Sequence, residues 1–170
     1  THLGHSFPTR RSSDLCGVYV QDMAGDPLTG LACIPYDEAE EYGYLKVDFL
    51  NLTVYRHFES RAEIERLHEL EPDWTLLNLP SNHEKLFQLA RHGELLNKVK
   101  PRNILELADV MALIRPGKKA YLPIYLKNPN EARKVLYGVD DTGYAFKKSH
   151  ALAYAYVVQL QLHLIEQGRI

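Results

Sequence analysis

Three short stretches near the start of the chain carry a strand-like pattern. Cys16 to Asp22 (CGVYVQD) and Leu31 to Tyr36 (LACIPY) flank a run containing Gly25, Asp26, Pro27 and Gly30, and this turn chemistry predicts a hairpin. Tyr44 to Leu50 (YLKVDFL) alternates strictly, with Leu45, Val47 and Phe49 on one face and Tyr44, Lys46 and Asp48 on the other. The apolar face is expected in a core, so Lys46 and Asp48 project from the opposite side.

From Asn51 onward the period becomes helical. Leu52, Tyr55, Phe58, Ala62, Ile64 and Leu67 recur among dense Arg/Glu pairs, which predicts an exposed helix from Leu52 to about Leu70, ended by Pro72. Ser81 and Glu84 have capping-box spacing ahead of Leu86, Leu89, Ala90 and Gly93, which predicts a second helix. Asn103 and Glu106 open a third in the same way, with Ile104, Leu107, Ala108 and Met111 on one face and Pro116-Gly117 as its stop. A last helix carries Ala151, Tyr154, Ala155, Val158, Leu162 and Ile165 as one stripe, with Ser149 as the expected N-cap.

Strands first and helices afterwards predict an α+β fold, with short antiparallel or mixed strands followed by a mainly helical region. Three strands cannot cover both faces of a stable sheet, so the natural domain is expected to be larger. Residues 1–15 stand apart. They have no hydrophobic period and lack the apolar stretch of a signal peptide, and HSFPTRRSSDL (His5 to Leu15) resembles a translated sequencing adapter. They are expected to be extraneous and unpacked, which leaves 16–50 as the strand region and 51–170 as the helical one.

Composition narrows the class. With 45% hydrophobic and 25% charged residues, the 170-residue chain has the make-up of one ordinary globular domain or part of one. No run approaches the roughly 18 to 20 apolar residues of a membrane helix. Two cysteines, Cys16 and Cys33, are too few for a disulfide scaffold or a structural zinc site, so reduced thiols and a cytoplasmic setting are expected. The net charge of -2 conceals a division: residues 16–97 hold six Lys/Arg against fifteen Asp/Glu, whereas 98–148 hold eleven against five. A basic block of this kind is an electrostatic footprint for a polyanion or simply a solvated face.

Lys46-x-Asp48 is the first candidate for chemistry. Two residues apart on a strand, the side chains point the same way roughly 6.5 to 7 Å apart, so one can hold a divalent cation while the other meets a phosphate on that cation. The same spacing also describes a plain Lys/Asp pair on a solvated strand face, and two-metal catalysis needs more than one carboxylate.

The surrounding words add a resemblance. YLKVDFLNL (Tyr44 to Leu52) is similar to the KxDFLGL segment of the C-family bacterial replicative DNA polymerases, the polymerase III alpha subunits. Leu86-Phe87-Gln88-Leu89 resembles that family's VFQLES segment, and Ala112 to Gly117 (ALIRPG) its ALxRPG segment. GYAFKKSHALAYAYV (Gly143 to Val157) resembles its GYGFNKSHSAAYALV segment, so four matches occur in the family's order.

The resemblance implies that 16–50 is the late part of a polymerase palm and 51–170 a shortened, fingers-like region. It implies Asp48 as a catalytic carboxylate and Mg²⁺ ligand, and Lys46 as a triphosphate contact. Arg115, Lys118, Lys119, Lys147, Lys148 and His150 become nucleotide or nucleic-acid phosphate contacts. Each has a plainer role beside it: Arg115 can anchor a carboxylate or cap a helix, His150 can pack or cap, and Lys118 and Lys119 can solvate a loop.

Primer-template DNA and a dNTP are the implied partners, with a sliding clamp and replisome proteins for the parent enzyme. The implied function is nucleotidyl transfer to a primer 3′-OH during DNA replication. The alternative is a non-catalytic nucleic-acid-binding or replisome-interaction module on the same scaffold. Departures from the family are specific. Its paired Asp-x-Asp carboxylates do not occur here, so the chain alone is expected to be inactive. Asn51 replaces the DFLGL glycine, Ala90-Arg91-His92-Gly93 replaces the string after FQL, and only 25 residues, Lys118 to Thr142, separate RPG from GYAFKKSH.

Overall fold

The computed structural model describes residues 5–6, 15–29, 32–50, 52–139 and 146–170. They fall into two compact units, Thr1–Tyr55 and Arg56–Ile170.

In the first unit, strands β1 (His5–Ser6), β2 (Leu15–Tyr19) and β3 (Lys46–Leu50) pair antiparallel in the order β1-β2-β3. Tyr19 lies opposite Lys46 and Gly17 opposite Asp48. The expected hairpin between 16–22 and 31–36 does not form, because β2 takes β3 as its partner. Ala32 makes only an isolated bridge to Gly25, and Tyr36 already begins helix α1 (Tyr36–Glu41). Asp26 closes the turn instead, accepting hydrogen bonds from the Leu28 and Thr29 amides and the Thr29 hydroxyl.

The expected core face of the third strand is also reversed. Leu45 is 59% and Val47 40% exposed, whereas Tyr19, across from Lys46, is buried and meets the Tyr44 ring edge-on at 6.2 Å. Aromatic burial here outweighs the aliphatic alternation. The Asp48 side chain lies outside the described residues, as do most of 1–14 and residues 140–145.

The second unit is helical: α2 (Arg61–His68), α3 (Pro80–His83), α4 (Gly93–Val99), α5 (Ile104–Leu113), α6 (Leu122–Lys127), α7 (Pro129–Leu136) and α8 (Lys148–Glu166). The long helix expected over 52–70 is broken into a 3₁₀ segment, Thr53–His57, and α2. Ser60, in extended backbone, stops the first and caps the second by accepting the Glu63 amide. The third expected helix forms as read: Asn103 accepts the Glu106 amide, and the Glu106 carboxylate accepts the Arg102 amide.

The helix expected after Ser81 stops at His83, and residues 84–91 turn irregularly. Gln161, buried on α8, supplies the reason. Its amide donates to the Lys85 carbonyl at 2.7 Å while its oxygen accepts from the Phe87 amide at 2.7 Å. Backbone groups that a helix would have paired internally are thus satisfied across the core. Leu86 and Leu89 remain buried, so this apolar period served a packed turn.

Helix α5 runs through the core against α8. Leu107, Met111 and Leu113 meet Ala151, Ala155, Val158 and Leu162, with Leu77, Leu96 and Phe146 around them. Helix α8 begins two residues earlier than expected. Lys147 is its N-cap and its carbonyl accepts from the His150 and Ala151 amides, which puts Ser149 inside the first turn. The end of α8 is buried all round from Val157 to Leu164, and its polar groups there are engaged: Gln159 donates to the Leu70 carbonyl at 2.9 Å, and His163 meets the Glu166 carboxylate at 3.0 Å.

Asp109, 1% exposed on α5, gathers the next two helices. Tyr125 of α6 donates to it at 2.9 Å, Tyr137 just after α7 at 2.7 Å, and Arg133 of α7 through Nε and Nη2 at 2.8 Å each. Burial, followed by the Asp109 charge, pushes both phenols well above the ordinary tyrosine range.

Asp109→Ala is expected to lower unfolding free energy by about 3–5 kcal/mol, because it strands a guanidinium and two hydroxyls. Tyr137→Phe, which removes one partner only, should cost roughly 1–3 kcal/mol. Urea denaturation of the two variants checks the order.

Candidate functional site

Arg115 follows α5 and precedes Pro116, a position that holds it in extended backbone. Its Nη2 donates to Gln88 Oε1 at 2.8 Å. Its guanidinium carbon lies 4.4 Å from the Phe146 ring centroid and 5.5 Å from that of Tyr154. Tyr154 in turn meets Phe87 edge-on at 5.2 Å and the His150 ring at 4.4 Å. Gln88 reaches Arg115 from a left-handed backbone, φ +58, which is uncommon outside glycine. The arrangement is an arginine held flat over aromatic rings and braced by an amide. Arg115 Nε is enclosed and has no hydrogen-bond partner among the described residues.

Beside it a cleft of about 260 Å³ opens between α4 and the 3₁₀ segment Pro116–Tyr121. Arg91, His92, Lys98 and Lys119 line it over a floor of Leu95, Leu113 and Leu122. Partial burial lowers the His92 pKa first, and the charges of Lys119 and Arg115 lower it further. Gly93, next in sequence, admits no side chain, since a Cβ there would lie 2.5 Å from the His83 ring. That ring is fixed by a 2.9 Å hydrogen bond from Nε2 to the Leu77 carbonyl.

The residues expected from sequence separate into distinct environments. Arg115 and His150 meet in the aromatic cluster, while Lys147 and Lys148 are exposed at the start of α8. Lys119 is exposed and lines the cleft. Lys118 requires a correction. It is 1% exposed, and its ammonium donates to the Gly138 carbonyl at 2.7 Å and the Val135 carbonyl at 3.3 Å. It closes the C-terminal end of α7, where carbonyls lack helical partners, and so is withdrawn from any phosphate. Lys46 is half-buried on β3 in the other unit.

Arg91, His92 and Gln88 were missed by sequence reasoning. The signal available was the departure at Ala90-Arg91-His92-Gly93, which puts two basic groups beside a glycine. Among the described residues no three His, Cys, Asp or Glu side chains converge on a metal position. The donor set for two Mg²⁺ ions is therefore not assembled by them.

Comparison with known proteins gives a consistent origin. The chain is 27% identical over 159 residues to a DNA polymerase III subunit alpha of Aquifex aeolicus, covering 76% of this chain and 14% of that protein. It is 26% identical over 115 residues to the Borreliella burgdorferi protein of the same name, covering 59% and 10%. It is 24% identical over 160 residues to that of Halalkalibacterium halodurans, covering 77% and 14%. The chain is thus a DNA polymerase-related protein. More particularly, it is related to the alpha subunit of DNA polymerase III, and it spans only 10 to 14% of the length of these relatives. No protein-family profile and no solved structure matches it. No helix of the described residues is long and apolar enough to cross a membrane.

Two measurements follow from these environments. The His92 pKa is lower folded than unfolded, so as pH falls the unfolded chain takes the proton first. Stability should therefore decline as pH drops from about 6.5 toward the lowered folded value. His92→Gln should flatten that part of a pH series of thermal melts. Lys118→Met should cost roughly 1–3 kcal/mol by taking the ammonium from the Gly138 carbonyl, whereas Lys119→Met should leave the melting temperature unchanged.

Proposed function

We propose that the chain is part of a DNA-directed DNA polymerase of the alpha-subunit type, from the late palm into a shortened fingers region. The supporting observation is convergence. Three of the four segments that resemble the family, spread over residues 87–154, meet at one place: Phe87 and Gln88, Arg115, and Phe146, His150 and Tyr154. Core packing alone does not call for an arginine stacked on rings in a half-exposed position.

In this reading the parent enzyme moves a nucleotidyl group from a dNTP to a primer 3′-OH. Asp48 contributes one carboxylate toward Mg²⁺, with others from elsewhere in the parent protein. Lys46 contacts the triphosphate, and Arg115, Lys119, Lys147, Lys148 and His150 face nucleotide or DNA phosphates. What this chain's residues do is bind and orient: guanidinium and ammonium groups fix phosphate positions, and fixed geometry lowers the barrier without bond-making by the protein. Residues 1–15 are foreign to the domain on this reading, but His5–Ser6 and Leu15 pair within the sheet, so the expectation that the segment is unpacked does not hold for them.

The test uses the full-length parent enzyme. Asp48→Asn is expected to lower primer extension by at least about 10²-fold while primer-template binding persists. Normal extension by that variant would remove Asp48 from the mechanism. A parental gene without further palm carboxylates would instead make the chain part of a non-catalytic replisome module.

A further inference from the structure

We infer that the groove between residues 72–78 and the connection from α4 to α5 binds an acidic peptide segment of a partner protein, through Lys100, Arg102, Asn78 and Trp74. The groove needs no polymerase activity in the parent, and it shares no lining residue with the cleft beside α4. Its volume is about 430 Å³, which suits a small ligand or a few residues of peptide. One wall comes from Pro72 and the 3₁₀ segment Trp74–Asn78, and the other is Lys100-Pro101-Arg102.

The groove carries unmet polar demands of two kinds. Asn78 Oδ1 is enclosed and has no hydrogen-bond partner among the described residues. A buried acceptor left in this state costs free energy until a donor reaches it. Lys100 and Arg102 are exposed, and neither side chain has an ion-pair partner among the described residues. Lys100 is also one of two residues other than glycine with positive φ among them, at +49, where it closes α4. Glycine is the usual residue at such a helix end, so a strained backbone here carries a cation to the groove.

The opposite wall holds the negative charge, and that charge is already engaged. Asp73 accepts the Thr75 amide at 2.9 Å and the Thr75 hydroxyl at 2.6 Å. Glu71 accepts the Trp74 indole N–H at 2.7 Å, and Glu166 accepts the Asp73 amide. The indole is thereby held in place, half-buried, between Pro72 and the solvent side of the groove.

These features select the class of ligand. A peptide supplies an N–H for Asn78, a carboxylate for Lys100 and Arg102, and an apolar side chain for Trp74 and the two prolines within a few consecutive residues. A nucleic-acid strand fits worse. Its backbone has no N–H to offer, and its evenly repeated charges would fall beside Asp73, Glu71 and Glu166 as well as beside the cations. One carboxylate in an apolar sequence meets the basic wall and avoids the acidic one.

The experiment uses the whole chain against an array of hexapeptides with one central Asp or Glu among Leu, Val, Phe and Pro, beside a matched array with Asn or Gln at the centre. The acidic set should bind at least about 5-fold more tightly, the scale of a charge-assisted contact. Trp74 is the sole tryptophan of the chain, so its emission should change saturably with the tightest acidic hexapeptide. Arg102→Glu should weaken that binding about 5- to 20-fold, and Asn78→Ala about 3- to 10-fold. Lys100→Gly should weaken it about 3- to 10-fold while the melting temperature holds or rises, because glycine relieves the left-handed backbone. Thermal melts of the other two variants should match the unaltered chain.

Equal binding to the acidic and amide arrays, or none to either, would overturn the proposal. So would acidic-peptide binding that all three variants leave unchanged. Displacement of the hexapeptide by equimolar oligo(dT), with the same change in Trp74 emission, would reassign the groove to nucleic acid and overturn it as well. None of these outcomes touches primer extension by the parent enzyme, so the polymerase reading stands or falls separately.

Discussion

Asp109 is a carboxylate inside apolar helix packing, and burying such a group without partners costs several kcal/mol. Two phenol hydroxyls and an arginine surround it, and they come from α6, α7 and the residue that caps α7. Docking of α6 and α7 therefore offsets the cost of burying Asp109 when α5 packs into the core. That coupling turns residues 118–137 from a connection into a fixed helical pair. Lys118 completes it from below by closing the carbonyl end of α7. Because Arg115 follows two residues after the end of α5, the same packing sets where the guanidinium emerges.

The aromatic cluster depends on a second buried polar device. Gln161 satisfies the backbone at Lys85 and Phe87, and this frees residues 84–91 from helical geometry. Gln88 can then adopt the left-handed backbone from which its side chain meets Arg115. An ordinary helix through this stretch would carry Gln88 along a regular spiral, without the reversal that presents its amide. Structure and site thus share one cause, a glutamine on α8 more than 70 residues from the turn it shapes.

Local signals in the sequence were reliable where the structure is local. The Asn103–Glu106 cap, the apolar stripe of α8 and the Pro116 stop each concern groups within one or two turns, and each was legible. The failures share a different cause. A capping pattern at Ser81 with a helical period after it describes a helix equally well as a turn whose leucines point inward, and only the distant Gln161 decides between them. The strand face at Leu45 and Val47 went wrong because a single buried tyrosine on the partner strand outweighed the alternation. Lys118 and Lys119 look alike in sequence, yet one ammonium is enclosed and the other open, since their orientation is set by where α7 ends. The resemblance at LFQL, ALIRPG and GYAFKKSH said nothing of these segments meeting, and LFQL alone reads as helix core; their contact through Phe87, Gln88, Arg115, Phe146, His150 and Tyr154 is visible only in the structure. The placement of Asp48 within a palm rests on the resemblance.

The bridge from Gln161 to the turn also has a mechanical consequence. Two short hydrogen bonds of 2.7 Å fasten the turn at Lys85 and Phe87 to the axis of a 19-residue helix. The next residue of that turn, Gln88, holds the guanidinium of Arg115, so a chain of short contacts runs from the middle of α8 to the stacked arginine. Helix and turn are thus tied at two points, and the place of Gln88 beside Arg115 is referred to the axis of α8.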